Sequence, residues 1–244
     1  MIVGLLGQQK IDQPLRGRET GHPTGSQGGL DLPEAAGSVL RGFLERNPEM
    51  SGLEPELARV YRAMARCVEV GGCIYICGNG GSMADALHIS GELLKSYTRK
   101  RPLDEKDKAR FAGLPGGAEV AEHLEGGFRA VVLGANPALS SAVDNDNPCP
   151  HMAYAQEVWA LGKPGDILIG ISTSGRAQNV RYAVTAAKAK GLTTIALTGA
   201  SGGPLAEVAD LAICVPENRT DRVQEQHVKV YHCLCEMLEA TFYC

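Results

Sequence analysis

A histidine and a glutamate four residues apart, His88 and Glu92, follow a glycine-rich loop in the stretch ICGNGGSMADALHISGE. Residues at positions i and i+4 share one face of a helix, so both side chains can point toward one ligand. Such a pair can bind a metal ion or supply a base and an acid. An exposed pair of this kind is by itself more often an ordinary surface ion pair, so the spacing alone leaves both interpretations open.

A second pair of polar residues, Gln224 and His232, lies near the C-terminus in DRVQEQHVKVYH. Eight steps at about 3.6 residues per turn bring these two side chains to nearly the same face of a helix. A lone buried histidine is common, but this one shares its face with a second polar residue. His227 lies off that face, so we exclude it from the candidate metal ligands.

Three loops rich in Gly, Ser and Thr could hold an anion: GNGGS (78–82), STSG (172–175) and TGASGG (198–203). Glycines let backbone amides approach an anion, a following helix N-terminus favours negative charge, and hydroxyls add donors. Two such loops on neighbouring strands suit the phosphate of a small molecule. For any single loop, a tight strand-to-helix turn explains the sequence equally well. GNGGS matches neither the dinucleotide-binding nor the P-loop pattern, which argues against a nucleotide cofactor.

An α/β scaffold must position these residues. Five short apolar segments read as strands, and each of the first four is followed by a small-residue turn and a helical pattern. This order predicts a parallel sheet covered by helices on both faces. The predicted strands are CIYICG (73–78), AVVLGA (130–135), DILIGIS (166–172), TTIALTG (193–199) and LAICVP (211–216).

Helical patterns flank this core at residues 32–48, 54–70 and about 221–240. Asp221 is predicted to cap the last helix, because a glutamine follows three residues later. Residues 1–30 are rich in Gly, Gln, Pro and Thr, which predicts a flexible tail before a domain that spans 31–244. The charged, glycine-punctuated segment 98–129 predicts an insertion or lid-like excursion with two short helices.

The composition is that of an ordinary globular protein, with 44% hydrophobic and 21% charged residues among 244. A net charge of −4 gives no general electrostatic reason to bind nucleic acid. No apolar run approaches the roughly 18 residues that cross a bilayer, and the N-terminus lacks a secretory pattern. We therefore expect a cytoplasmic protein without membrane partners. Its eight cysteines include no C-x-x-C pair, so we expect buried thiols rather than a cysteine zinc site.

Together these motifs resemble the SIS (sugar isomerase) domain family and, within it, the phosphoheptose isomerases. The resemblance covers about residues 53–242. It rests on GNGGS followed by Asp85, Ala86, His88 and Glu92, on Asn145–Asp146, and on GDILIGISTSG, TIALTGASGG and RVQEQHVKVYH. It implies a single SIS domain, a flavodoxin-like three-layer sandwich with a five-stranded parallel sheet.

The resemblance also implies the roles of individual residues. Glu92 and His232 match the catalytic pair that transfers protons. The implied metal ligands, typically for one zinc ion per site, are His88, Glu92, Gln224 and His232. The implied substrate and phosphate contacts are Asn79, Gly80, Gly81, Ser82, Asn145, Asp146, Ser172, Thr173, Ser174 and Gln224. The family's enzymes are tetramers with sites between subunits, so we expect a homotetramer.

Two positions depart from the family pattern S-T-S-G-N-S, because this chain reads Ser172-Thr173-Ser174-Gly175-Arg176-Ala177. Ala177 lacks a hydroxyl that would face the phosphate, and a hydrogen bond to a charged group is worth about 1.5–3 kcal/mol. We still predict a phosphate site at this loop. The departure weakens the prediction that the substrate is the heptose phosphate of the family. Hexose and pentose phosphates stay open.

The resemblance predicts an aldose–ketose isomerase for a sugar phosphate, with sedoheptulose 7-phosphate as the first candidate. The alternative is a non-catalytic SIS protein that acts as a sugar-phosphate sensor or as a scaffold for a replication initiator. A scaffold has no reason to keep Glu92 and His232 together with His88 and Gln224, so the four residues favour catalysis. The arabinose-phosphate isomerases use a lysine-bearing loop that GNGGSM lacks.

Overall fold

The computed structural model describes residues 32–243, and the tail predicted for residues 1–30 lies outside this range. The strands are β1 (Ile74–Cys77), β2 (Ala130–Val132), β3 (Ile167–Ser172), β4 (Thr193–Thr198) and β5 (Leu211–Cys214). They form one parallel sheet in the order β2-β1-β3-β4-β5. All five predicted strands and their parallel pairing are confirmed.

The order of the strands creates a switch point beside β1. Ile76 of β1 pairs with Val132 of β2 on one side and with Ile169 of β3 on the other. The chain therefore leaves β1 toward one edge of the sheet and later returns to add β3 on the opposite side. In open α/β sheets, ligands bind outside the carboxyl ends of the strands at such a point.

Helices cover both faces of the sheet, as predicted. Alternate strand residues point to opposite faces, so Ile74 and Ile76 pack into one hydrophobic core, whereas Tyr75 and Cys77 pack into the other. The helices are α1 (Glu34–Arg46), α2 (Glu54–Glu69), α3 (Gly81–Leu94), α4 (Glu105–Ala109), α5 (Gly117–His123), α6 (Pro137–Asp146), α7 (Ala153–Leu161), α8 (Gln178–Ala189), α9 (Gly203–Val208) and α10 (Thr220–Phe242). The first core contains residues of α1, α2, α3 and α10, and the second contains residues of α7, α8 and α9.

The predicted N-cap of the last helix is wrong. Helix α10 begins at Thr220, and its N-cap position is Arg219, which makes no side-chain capping bond. The Asp221 carboxylate instead receives two hydrogen bonds from the Arg219 guanidinium. A paired, charge-assisted contact of this kind is stronger than a bond to one neutral backbone N–H.

The segment 98–129 contains α4 and α5, both short, and a single antiparallel bridge between Pro102 and Glu125 closes its base. Of the cysteines, Cys149 is exposed and Cys214 is half-buried. The buried ones are Cys67, Cys73, Cys77, Cys233 and Cys235. None of the helices within residues 32–243 is both long enough and apolar enough to cross a bilayer.

Candidate active site

The glycine loop turns sharply between β1 and α3. Gly80 has φ 55° and ψ −121°, a backbone conformation that is open only to glycine. A Cβ on Gly81 would lie 2.2 Å from Nε2 of Gln224, so α10 approaches the loop as closely as a glycine permits. The loop sequence is thus explained by the sharp turn and by the contact with Gln224, which faces the loop from α10.

The loop after β3 lies beside the glycine loop, because β1 and β3 are neighbours in the sheet. Asn79 and Asn179 join the two through paired amide hydrogen bonds of 2.9 and 2.8 Å. The Tyr154 hydroxyl also donates to the Gly78 carbonyl at 2.7 Å. The Asn79–Ser82 and Ser172–Ser174 groups are therefore brought together at one edge of the sheet.

The hydroxyls of the β3 loop partly satisfy their own backbone. Oγ of Ser172 accepts from Ala177 N at 3.4 Å, and Oγ of Ser174 accepts from Arg176 N at 3.3 Å. Ser172 is buried and Ser174 is exposed, with Thr173 between them half-buried. Ala177 is the N-cap residue of α8 and offers no side-chain cap. The departure from the family pattern thus lies at the start of the helix that follows this loop.

Three candidate metal ligands converge from α3 and α10. Nε2 of His88 lies 3.1 Å from Oε1 of Glu92 and 3.4 Å from Nε2 of His232. The ligand atoms of all three residues lie within 4.8 Å of one another. Two ligands at about 2.0–2.1 Å from a tetrahedral zinc ion lie about 3.3–3.4 Å apart, and the two distances from His88 are close to this spacing.

Contacts behind the cluster orient His88. The Tyr231 hydroxyl lies 2.9 Å from Nδ1 of His88 and 3.5 Å from Oδ1 of the buried Asp85. Nδ1 is therefore engaged on the protein side, which leaves Nε2 for the cluster. Second-sphere contacts of this type fix the tautomer and the ring orientation of metal-binding histidines. Burial raises the pKa of Asp85, although its contact with Tyr231 opposes the shift.

His232 is held by an aromatic neighbour. The Tyr97 ring stacks on it at a centroid distance of 5.2 Å and an angle of 23°. Burial lowers the pKa of His232, and the neighbouring His88 lowers it further. A histidine with a lowered pKa is neutral at physiological pH, so it can bind a metal or exchange a proton.

Asn145 and Asp146 are not joined to the two loops by any hydrogen bond among residues 32–243. They lie exposed at the end of α6, where the Asn145 amide donates to the Asp146 carboxylate at 2.8 Å. Helix α6 begins after β2, the neighbour of β1, but Asn145 and Asp146 lie at its other end.

Sequence reasoning missed several residues that support the site. Asp85 was part of the motif, and its spacing of three residues from His88 was an available signal that the two share a helix face. Tyr97, Tyr154, Asn179 and Tyr231 carried no such signal, because their partners lie far away in the sequence.

Comparison with known proteins agrees with this architecture. Two family models, both described as SIS domain, match residues 150–243 and 46–132. Phosphoheptose isomerase of Roseiflexus sp. is 37% identical over 214 residues, which is 88% of this chain and 93% of that protein. The enzyme of Rhodospirillum rubrum is 38% identical over 185 residues, covering 76% and 85% of the two chains.

Solved structures give the same result. Phosphoheptose isomerase of Francisella tularensis superposes with a TM-score of 0.65 at 30% identity, covering 83% of this chain and 95% of that one. The Neisseria gonorrhoeae enzyme gives a TM-score of 0.63 at 29% identity, covering 84% and 97%. The chain therefore belongs to the SIS-domain family and, within it, to the phosphoheptose isomerases, a family of isomerase enzymes.

Proposed function

We propose that this protein is a zinc-assisted sugar-phosphate isomerase that converts sedoheptulose 7-phosphate, or a related ketose phosphate, to the corresponding aldose phosphate. The observation that carries the proposal is the convergence of His88, Glu92 and His232, two of them on α3, the helix that begins at the glycine loop. The cluster of His88, Glu92 and His232 can exchange protons, and the two loops can hold a phosphate.

The loops supply the binding half of the proposed site. Backbone amides of the glycine loop and the hydroxyls of Ser172, Thr173 and Ser174 would contact the phosphate. The N-termini of α3 and α8 follow these two loops and favour an anion there. Asn79, fixed by Asn179, would contact the bound substrate.

The proton-transfer half requires one base and one acid. With the sugar ring open, Glu92 would remove the proton from carbon 1 of the ketose and return it to carbon 2 of the enediol. His232, which is neutral at the start, would transfer a proton from the oxygen on carbon 1 to the oxygen on carbon 2. No atom is gained or lost, and both residues end in their starting protonation states.

The zinc ion would be held by His88, Glu92, His232 and Gln224, and when bound it would polarise the substrate carbonyl. A carboxylate oxygen that binds a metal is a weaker base. Oε1 of Glu92 faces His88, whereas Oε2 has no hydrogen-bond partner among residues 32–243. We assign proton transfer to Oε2, which keeps the two tasks of Glu92 on different atoms.

The test is turnover of sedoheptulose 7-phosphate by zinc-loaded parent protein and by Glu92→Gln and His232→Gln. Loss of a general acid or base costs about 100-fold or more in kcat, so both variants should fall by at least that factor. Glu105→Gln and His123→Gln replace exposed residues of the same types and should retain parent activity. If both site variants remain within about tenfold of the parent, the mechanism is wrong.

The alternative function is a non-catalytic sugar-phosphate sensor or initiator-binding scaffold. Such a protein would use the loops without proton transfer. If sedoheptulose 7-phosphate raises the melting temperature of the zinc-loaded parent but is not converted, and a panel of hexose and pentose phosphates is not converted either, the sensor function replaces the proposed one.

We also propose that the active form is a homotetramer in the cytoplasm with sites between subunits. Its support is the exposed face of α3, where Leu87 and Leu94 are 53% and 52% exposed. These leucines lie seven residues apart and flank His88 and Glu92 along the helix. A second copy that covers this face would bury the leucines and close the site.

A further inference from the structure

A buried ion pair, Arg101–Glu239, lies directly behind the candidate active site. Nε of Arg101 donates to Oε1 of Glu239 at 2.8 Å, and neither side chain is exposed to solvent. The guanidinium lies over the rings of Phe128 and Tyr243, at 4.8 and 5.0 Å from their centroids. The pair joins the segment after α3 to the last turns of α10, 138 residues later.

The stability of the fold is a weak explanation for this pair. Burying two charges costs several kcal/mol, and apolar residues of similar volume often stabilise a protein as well or better. Burial alone would raise the pKa of Glu239, but hydrogen bonds from Thr98, Tyr97 and Arg101 outweigh it and lower the pKa to about 2. The pair is therefore ionised, and its contacts indicate what the charges do.

Arg101 holds the end of α3. Its two terminal nitrogens donate to the backbone carbonyls of Leu93 at 2.9 Å and of Glu92 at 3.1 Å. The last carbonyls of a helix have no partner within the helix, so this side chain satisfies two of them. One of these carbonyls belongs to Glu92 itself, and Arg101 thereby fixes the backbone from which the proposed base projects.

Glu239 holds the residue that stacks on the proposed acid. Its carboxylate accepts from the backbone N–H groups of Tyr97, Thr98 and Arg99 at 2.7–2.9 Å, and from the Thr98 hydroxyl at 2.7 Å. These bonds fix the turn that carries the Tyr97 ring against His232. Glu239 and His232 both lie on α10, so Tyr97 is bonded to this helix at one residue and stacks on it at another.

We propose that the Arg101–Glu239 pair positions the two proton-transfer residues relative to each other. One end of the pair fixes Glu92 through its carbonyl, and the other fixes His232 through Tyr97. Arg101, Glu239 and Tyr97 are thus positioning residues, and this inference rests on the proposed isomerase function. Misplacement of a catalytic group by about 1 Å can cost about 100-fold in rate.

The test compares Glu239→Gln and Arg101→Lys with the parent, at a temperature well below the melting point of each variant. We expect kcat to fall at least about tenfold with KM within about threefold, because the phosphate loops are untouched. Glu56→Gln is the matched control, since it changes a half-buried glutamate that pairs with an arginine, Arg59, on α2, and it should behave as the parent.

Tyr97 separates positioning from folding. Tyr97→Phe keeps the stacked ring and should retain parent kcat, whereas Tyr97→Leu leaves the ion pair intact and should lower kcat by about tenfold. If Glu239→Gln and Tyr97→Leu lower the melting temperature but leave kcat unchanged, the pair is only structural and the proposal is overturned.

A second readout does not depend on turnover. The stacked Tyr97 ring should shift the His232 ring-proton resonances in the NMR spectrum of the metal-free protein, and Tyr97→Leu should remove that shift. Glu239→Gln should move the same resonances, whereas Glu56→Gln should not. Unchanged His232 resonances in Glu239→Gln would overturn the positioning role, whatever the parent protein is found to catalyse.

Discussion

At the scale of single residues, Ala177 is an unfavourable residue at the start of α8. Its position is the N-cap, and α8 has no side-chain cap. A serine there can accept a hydrogen bond from a free backbone N–H, which stabilises a helix by about 1 kcal/mol. The same hydroxyl would face a bound phosphate.

We therefore expect Ala177→Ser to raise the melting temperature by about 2–4 °C and to lower KM for the sugar phosphate. Thermal unfolding and steady-state kinetics measure the two effects. Ala118→Ser, an exposed change on α5, serves as the control and should alter neither quantity. A KM that stays at the parent value would show that position 177 does not face the phosphate.

Tyr231 is the second residue whose role can be isolated. Its hydroxyl contacts Nδ1 of His88, and loss of such a second-sphere contact typically costs about 10–100-fold in metal affinity. Tyr231→Phe should therefore weaken zinc binding by that factor in a chelator competition with the metal-free protein.

The matched control for Tyr231→Phe is Tyr61→Phe, which also removes a hydroxyl from a buried tyrosine. The Tyr61 hydroxyl bonds Thr241 at 2.7 Å and is not among the contacts of the cluster. Equal zinc affinity in both variants would exclude the second-sphere role of Tyr231.

At the scale of elements, much of this fold can be predicted from local sequence. Strands β1, β3 and β4 are short apolar runs bounded by glycine or polar residues, and their length and β-branched residues favour a buried strand over a helix. His88 and Glu92 can be paired from their spacing alone, because a helix fixes the geometry of positions i and i+4.

Local patterns fail where a neighbouring side chain competes for the same group, and where the two partners lie far apart in the chain. Asp221 was predicted as a cap from its local motif, but the neighbouring Arg219 offers it a stronger partner. The Arg101–Glu239 pair joins residues 138 positions apart, and no period or motif relates them. The local pattern of segment 98–129 therefore predicts only a charged excursion, although in the fold this segment carries Arg101 into the interior.

The ion pair also makes a prediction about acid stability. The pKa of Glu239 is lowered from 4.5 to about 2, so ionised Glu239 adds stability above pH 4.5, and that contribution is lost as pH falls toward 2. The difference in melting temperature between parent and Glu239→Gln should be largest near neutral pH and should shrink below pH 4.5. A difference that stays constant from pH 7 to pH 3 would contradict an ionised pair.

At the scale of the whole molecule, the exposed leucines of α3 predict an assembly of several copies. Leu87→Glu places a charge on that face and should shift the molar mass measured by light scattering from that of the proposed tetramer to that of smaller species. Leu114→Glu changes a leucine of similar exposure after α4 and is the control. An unchanged molar mass in Leu87→Glu would remove α3 from the interface.

The proposed isomerisation can be tested by following the reacting hydrogen itself. Zinc-loaded protein is incubated with sedoheptulose 7-phosphate in D₂O, and the sugars are examined by NMR. We expect an aldose phosphate that carries deuterium on carbon 2 to the extent that the proton on Glu92 exchanges with the solvent before it is returned, and a rate at least about 100-fold lower in Glu92→Gln. If the parent forms no aldose and exchanges no hydrogen at carbon 1 of the ketose, the assignment as a heptose-phosphate isomerase is contradicted.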